Sequence, residues 1–319
     1  MKRILVTGAS GTIGFLVVKY LLAEEDAYEI TALDLKNYRS NKRLKKYRKR
    51  INLIYGDIND PVLMNALIRN HDMVIHLAGV IPPLADLKGD LTRAVDYDGT
   101  KTIINAINEH NPRCFMIYSS STTVYGEVGL RRSVGDDLVI DSDDHYSSVK
   151  RDVELLIQKE LKHYTIFRLP ALLCNVKTDA PMYNTPPNTR VELITSTDAA
   201  YALARAVNYK KELNQQVYNI SGGSTCRTLF KDYLIKILKI HGLSVRYLVT
   251  LLLVDKNFYG GYYEDGSKID DILQFRNGTI NGYYKELEAN TSKFKRFIPR
   301  LLAIPFIWFL NISTKKGKS

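Results

Sequence analysis

The segment Thr7-Gly8-Ala9-Ser10-Gly11-Thr12-Ile13-Gly14 constrains this chain more than any other. It sets three glycines at intervals of three between a short apolar run, Ile4-Leu5-Val6, and a stretch from Ile13 to Leu22 whose apolar positions recur on a helical period. The local reading is strand, glycine turn, helix. Gly8 permits the tight turn, Gly11 lets a pyrophosphate approach the backbone, and Gly14 lets helix and sheet pack closely. The helix N-terminus offers unpaired N–H groups and the positive end of its dipole to phosphates. Ser10, Thr12 and Ile13 therefore join Gly8, Gly11 and Gly14 as candidate dinucleotide-binding residues.

Further apolar or alternating runs predict strands at Glu29 to Leu33, Asn52 to Tyr55, Met73 to Leu77, Phe115 to Tyr118 and Thr165 to Leu169. Helix-length segments lie between several of them, notably Val62 to Arg69, Leu91 to Glu109 and Tyr146 to Leu161. Alternation of this kind implies right-handed crossovers and a parallel sheet covered on both faces, a doubly wound α/β domain. Asp34 closes the second strand, twenty residues beyond Gly14. A carboxylate there accepts from adenosine ribose hydroxyls and repels a 2′-phosphate, which favours NAD over NADP as cofactor, although Lys36 and Arg39 follow at once and are able to bind that phosphate.

The net charge of +11 suggests a nucleic-acid partner until the charges are located. Residues 36–50 hold nine Lys or Arg and no acid, and residues 289–319 hold seven and no acid. Without them the chain has 29 basic and 34 acidic residues, so its body is mildly acidic. The first run reads as a solvated loop and helix, or as a surface near an anionic ligand. No zinc-finger spacing or RNA-binding aromatic signature accompanies it, and nucleic acid is not the expected partner. The second run brackets an apolar stretch, 297–312, that two prolines and Arg300 interrupt and that is too short to span a bilayer. It is expected to dock on the core in preference to a membrane surface, with a frayed lysine tail. Three scattered cysteines build neither a disulfide framework nor a zinc site, and no metal ligands are assigned. With 45% apolar and 25% charged residues and no apolar leader after Met1-Lys2-Arg3, a globular cytoplasmic protein is expected.

The chemistry-bearing residues come at the end of the fifth predicted strand and beyond. Tyr118-Ser119-Ser120-Ser121-Thr122-Thr123-Val124-Tyr125-Gly126 is followed, twenty-five residues after Ser121, by Tyr146-Ser147-Ser148-Val149-Lys150. Tyrosine and lysine four apart share one helical face. An ammonium, with a positive nicotinamide near it, favours the phenolate of a tyrosine that otherwise ionises near pH 10. Such a phenolate takes a proton from a substrate hydroxyl as hydride leaves.

Together these features resemble the extended short-chain dehydrogenase/reductases, the NAD-dependent epimerase/dehydratase family, over most of residues 1–220. The likeness extends to Gly56-Asp57-Ile58, where the aspartate would meet the adenine, and to His76-Leu77-Ala78-Gly79, which would line the cofactor. It implies a Rossmann fold with a smaller C-terminal α/β substrate subdomain. It makes Tyr146 the general base or acid, gives Lys150 the task of lowering the Tyr146 pKa and binding the nicotinamide ribose, and sets Ser121 on the reacting oxygen. Asp198, the segment Tyr218-Asn219-Ile220 and the segment Ser267 to Leu273 match later family patterns. The implied division is residues 1–169 with 197–220 for the dinucleotide and 170–196 with 221–319 for the substrate. A homodimer through the helices that carry the tyrosine is implied as well.

Where family dehydratases carry an Asp-Glu pair after the catalytic Ser or Thr, this chain has Thr122 and Thr123. That disfavours a 4,6-dehydratase and looks like UDP-glucose 4-epimerase. Two substrate-side marks are missing: Arg168-Leu169-Pro170-Ala171 ends in alanine where asparagine is usual, and Val191 stands where an arginine is usual, with Arg190 adjacent. Asp96 replaces a usual asparagine, a change expected to affect helix packing more than chemistry. The tyrosine-rich segment 258–263 either lines a sugar or aromatic pocket or packs the small subdomain. The leading expectation is a nucleotide-sugar epimerase that oxidises a secondary alcohol transiently. The alternatives are an NAD(P)-dependent dehydrogenase/reductase of a non-nucleotide substrate and a non-catalytic dinucleotide-binding scaffold.

Overall fold

The computed structural model describes residues 1–24, 27–126, 131–138, 144–174, 186–242 and 260–291. The apolar stretch 297–312, the lysine tail after it and residues 258–259 of the tyrosine-rich segment lie outside them.

Seven strands form one parallel sheet: β1 (Lys2–Thr7), β2 (Tyr28–Asp34), β3 (Asn52–Tyr55), β4 (Met73–His76), β5 (Phe115–Ser121), β6 (Tyr164–Leu169) and β7 (Gln216–Asn219). Their spatial order is β3-β2-β1-β4-β5-β6-β7. The six strands expected from the apolar runs are present, and the seventh contains Tyr218 and Asn219. Ile4, Leu5 and Val6 are wholly buried, as a strand covered on both faces requires. Successive side chains point to opposite faces. Ile4 and Val6 accordingly enter one core with Phe115, Ile117 and Phe167, while Leu5 enters the other with Val74, Met116 and Ile166.

The first core is closed by α1 (Thr12–Ala23), through Val17, Val18, Leu21 and Leu22, and by α6 (Ser196–Arg205). The second is closed by α3 (Pro61–Ile68), α4 (Gly99–His110) and α5 (His145–Glu160). Helix α2 (Tyr38–Leu44) carries much of the basic run and begins with Asn37, whose side chain accepts from Ser40 N. A third apolar cluster joins α7 (Phe230–Ile240) to α9 (Ile280–Asn290). Phe230, Tyr233, Leu234, Ile237 and Leu238 of α7 are buried on the spacing of one helical stripe. The predicted helix Ser267 to Leu273 is α8 (Gly266–Leu273), whose Ile269 and Leu273 pack into the first core.

Strand order reverses at β1, with β2 and β3 on one side and β4 to β7 on the other. The crevice at such a switch point, beyond the carboxyl ends of the strands, is where open α/β sheets bind ligands. Here it lies between the turn after β1 and the turn after β4.

Candidate active site

The glycine turn sits in that crevice, and its geometry admits no larger residue at two of the three glycines. Gly8 has φ +63°, and a Cβ there would fall 2.7 Å from Ala78 N in the turn after β4. A Cβ on Gly14 would lie 2.2 Å from the Gly8 carbonyl oxygen. Gly11 N donates to Gly8 O at 3.0 Å, and the first bond of α1 runs from Phe15 N to Gly11 O. The N–H groups of Thr12, Ile13 and Gly14 thus have no carbonyl partner within the helix. Ser10 is buried, and its N–H donates to Asp34 Oδ2 at 2.7 Å, so Asp34 braces the turn in addition to closing β2. The basic run contributes more than a solvated face. Arg43 donates to Ser10 O and Gly11 O at 2.9 and 3.2 Å and lies over the Phe15 ring. Arg50 bonds Leu22 O at 2.7 Å, whereas Lys36 and Arg39 are exposed.

On the other wall, the exposed Asp57 accepts from Asn59 N at 2.9 Å, and Ile58 is buried against Gly99. Leu77 N and Ala78 N both donate to Thr7 Oγ1 at 3.2 Å, which ties the turn after β4 to β1. Gly79 follows, and a Cβ on it would fall 2.7 Å from Asp96 Oδ1.

Ser121, Tyr146 and Lys150 meet at the end of β5. Asp144 caps α5 by accepting from Ser147 N at 3.0 Å, which sets Tyr146 in the first turn and Lys150 one turn later. The Tyr146 phenol and the Ser121 hydroxyl come close enough for the serine to pull the phenol's pKa down. Thr123 N donates to Ser121 Oγ at 3.2 Å, which leaves the serine proton free to be donated to an oxygen in the site. The Lys150 ammonium lies 5.8 Å from the centre of the Tyr146 ring. Burial pushes the Tyr146 phenol up; Lys150 and Ser121 pull it down, Asp96 pushes it up, and the balance stays above the ordinary tyrosine value.

Lys150 is buried; its Nζ donates to Tyr118 Oη at 3.2 Å and to Ser119 O at 3.4 Å, and it is ion-paired at 3.1 Å with Asp96 Oδ1, an atom that accepts no hydrogen bond among the described residues. Burial works against its charge, yet Tyr118, Asp96 and Tyr146 outweigh burial and hold its pKa well above that of an ordinary lysine. The Asp96 contact corrects the expectation that this residue serves helix packing. Residues Arg93–Asp98 form a π-helical turn between the short helix Gly89–Thr92 and α4. The wider turn carries the Asp96 carboxylate to the lysine, and insertions of this type recur at functional sites. A fixed chain of hydrogen bonds holds it. Thr7 Oγ1 accepts two amides, so its proton goes to His76 Nδ1 at 2.7 Å; His76 Nε2 then donates to Thr100 Oγ1 at 2.9 Å, and Thr100 donates to Asp96 O. His76 is held neutral, its pKa pushed down to about 3 by burial and by the Lys150 charge.

On the substrate side, Tyr263, at the end of the tyrosine-rich segment, is buried close to Thr122 and beside the Tyr125 ring at 6.4 Å between centroids, which brings that segment against the loop after β5. Arg190 is exposed while Val191 is buried, so the arginine faces away from the position it neighbours. Arg168 is engaged by Glu154 of α5, and Tyr125 Oη donates to Asn219 Oδ1 at 2.9 Å below the loop. The sequence reading passed over Arg43, Tyr118 and Glu154. Glu154 was detectable as a carboxylate at the next four-residue step after Tyr146 and Lys150, on a face lined by Val153 and Ile157.

Comparison with known proteins places these features in a family. The chain is 34% identical over 170 residues to dTDP-glucose 4,6-dehydratase of Mycolicibacterium smegmatis, covering 51% of this chain and 50% of that protein. It is 29% identical over 164 residues to D-erythronate dehydrogenase of Cupriavidus necator, covering 49% of each. The chain thus spans about half the length of the curated relatives it matches. Among solved structures, UDP-glucuronic acid 4-epimerase of Bacillus cereus in complex with NAD superposes with a TM-score of 0.72 at 20% identity, over 94% of this chain and 97% of that one. dTDP-glucose 4,6-dehydratase of Bacillus anthracis in complex with NAD gives 0.73 at 18% identity, over 91% and 96%. These likenesses are of fold. Residues 4–180, more than half of the chain, match the model of the NAD dependent epimerase/dehydratase family, and the chain belongs to that family.

Proposed function

We propose that this chain is an NAD-dependent enzyme that oxidises a secondary alcohol transiently, acting as a nucleotide-sugar epimerase. The observation that carries the reading is the convergence of Ser121, Tyr146 and Lys150 on the carboxyl end of β5, in the same crevice as a glycine turn that admits no Cβ at Gly8 or Gly14. That cradle fits a dinucleotide. The unpaired N–H groups at Thr12 and Ile13 would hold its pyrophosphate, Asp34 its adenosine ribose through Oδ1, and Asp57 and Ile58 its adenine. Leu77, Ala78 and Gly79 would line its path to the tyrosine. NAD bound there supplies a hydride acceptor and a positively charged ring.

The side chains supply the proton chemistry. Tyr146 Oη takes the proton of the substrate hydroxyl, and Ser121, its own oxygen occupied by Thr123 N, donates to the reacting oxygen. Lys150 stabilises the phenolate through its charge. Its ribose role would be met by exchanging its longest protein contact, Ser119 O at 3.4 Å. After the intermediate ketone turns over in the pocket, Tyr146 returns the proton, and the cofactor is not consumed. An elimination of water needs a further acid and base. Thr122 and Thr123 supply neither, which weighs against the 4,6-dehydratase activity named for one relative.

A second reading, a dehydrogenase with net cofactor turnover on a non-nucleotide substrate, is favoured by the substrate side. Ala171 offers no side-chain hydrogen bond, and Arg190 faces solvent. The deciding experiment incubates purified protein with NAD and UDP-sugars at neutral pH. Interconversion of a sugar pair without NADH accumulation supports the epimerase, and stoichiometric NADH supports the dehydrogenase. Tyr146→Phe should abolish turnover and leave NAD affinity within about two-fold; a Tyr146→Phe variant with wild-type rate would overturn both readings.

A further inference from the structure

Resting on the reading of Tyr146 as the acid-base group, we propose that Asp96 is a positioning residue for the proton transfer. Its carboxylate pairs with Lys150 and draws the ammonium's charge away from Tyr146, so that the phenol ionises only when another cation lies beside it.

The pairing is built into the fold. Asp96 is 1% exposed, its Oδ2 accepts from Val80 N at 2.7 Å, and its Oδ1 lies 3.1 Å from Lys150 Nζ. An amide oxygen would accept from Val80 equally well and would spare the desolvation of a second charge, which costs several kcal/mol for a buried ion. A carboxylate at this point therefore serves something other than the Val80 bond. Its placement is over-determined: the π-helical turn aims it, and the chain Thr7–His76–Thr100 fixes its backbone carbonyl.

The groups that face the Tyr146–Lys150 pair are few. From β5 come Tyr118, which accepts from Lys150, and Ser121; from the π-helical turn comes Asp96; Asp144 stands at the cap of α5 beside His145, and Asp86 of the short helix Leu84–Leu87 lies against the Tyr146 backbone. His76 of β4 is neutral and adds no charge. Against the one ammonium stand Asp96, Asp144 and Asp86, of which Asp96 is the one in contact with it. Lys150 thus lends Tyr146 less positive potential than an unpaired lysine would, and a positive ring bound in the crevice becomes the charge that completes ionisation. Proton abstraction is in this way tied to the presence of the oxidised cofactor.

The test reads the phenol directly. Absorbance near 295 nm is titrated from pH 7 to 12 with no substrate, and each spectrum is referenced to the same protein carrying Tyr146→Phe, which isolates one of the 21 tyrosines. Asp96→Asn should lower the Tyr146 midpoint in NAD-free protein by about one pH unit or more, the size expected for one charge at this range. Asp96→Glu should restore a wild-type midpoint. Gly79→Ala is the second variant, because its Cβ would meet Asp96 Oδ1 at 2.7 Å and push the carboxylate off the lysine without removing it; a smaller downward shift is expected. With NAD bound, both midpoints should fall, because the added positive charge acts on wild type and Asp96→Asn alike. An unmoved or raised midpoint in folded Asp96→Asn or Gly79→Ala overturns the proposal. Failure to turn over any UDP-sugar would sink the epimerase reading and leave this titration standing.

Discussion

Arg168 and Glu154 form a buried pair with both ends of the carboxylate engaged: Arg168 Nη2 lies 2.7 Å from Oε2, and Nε lies 3.1 and 3.2 Å from the two oxygens. Ser120 Oγ donates to the same carboxylate at 2.5 Å. The pair therefore locks α5, which carries Tyr146 and Lys150, to β6 and to the residue before Ser121. Removing one partner leaves the other charge buried without its counterion, at a cost of roughly 3–5 kcal/mol. Glu154→Ala is expected to lower unfolding free energy by that order, read from urea denaturation. Replacement of both by apolar residues of similar volume, Glu154→Met with Arg168→Leu, should recover most of the loss. A loss under about 1 kcal/mol for Glu154→Ala would contradict the account.

The sheet was legible because its central strands are buried on both faces, so that Ile4-Leu5-Val6 or Met73-Val74-Ile75 reads as an unbroken apolar run. The glycine turn was legible because each glycine answers a local steric demand. The charge pairs were not. Asp96 and Lys150 are fifty-four positions apart, and their meeting depends on a π-helical turn inside the predicted helix Leu91 to Glu109, which regular periodicity does not forecast. Arg43 was hidden for another reason: within nine basic residues it looks solvated, and only the packing of α2 beside the first turn gives it carbonyls to hold.

Gly14→Ala should fold and fail at the cofactor. Its Cβ would collide with the Gly8 carbonyl oxygen at 2.2 Å, a backbone atom that moves only if the turn opens. Opening the turn displaces the N–H groups assigned to the pyrophosphate. NAD affinity, measured by calorimetric titration, should fall at least about ten-fold, an order set by the loss of one or two charge-assisted hydrogen bonds. Unchanged affinity would remove the glycine turn from the cofactor site.

Arg43→Met separates the scaffold of the turn from the chemistry. The guanidinium holds Ser10 O and Gly11 O and packs on Phe15, while methionine keeps much of the packing and loses both bonds. The expected result is a several-fold rise in the dissociation constant for NAD, roughly three- to ten-fold for bonds in a partly exposed site, with kcat at saturating NAD unchanged. A fall in kcat with unaltered NAD affinity would show that Arg43 acts elsewhere.

His76 gives the chain an acid-side sensitivity whose sign follows from its burial. Both ring nitrogens are bonded, to Thr7 and Thr100, and its folded-state pKa is pushed down to about 3, first by burial and then by Lys150. An unfolded chain binds a proton to this imidazole below about pH 6.5, whereas the folded chain does not until near pH 3. Between those limits the unfolded state holds more protons, so stability falls as pH falls. The contribution of His76 alone is on the order of 2 kcal/mol between pH 8 and pH 5. Burial lowers His71 as well, and it pushes in the same direction. NMR isolates the group: the His76 ring resonances should stay at their neutral positions down to about pH 4.5. A His76 midpoint near 6 would mean that the imidazole takes up a proton beside Lys150; Nδ1 would then donate to Thr7 Oγ1 in place of accepting from it, while the Thr100 link to Asp96 would keep its direction.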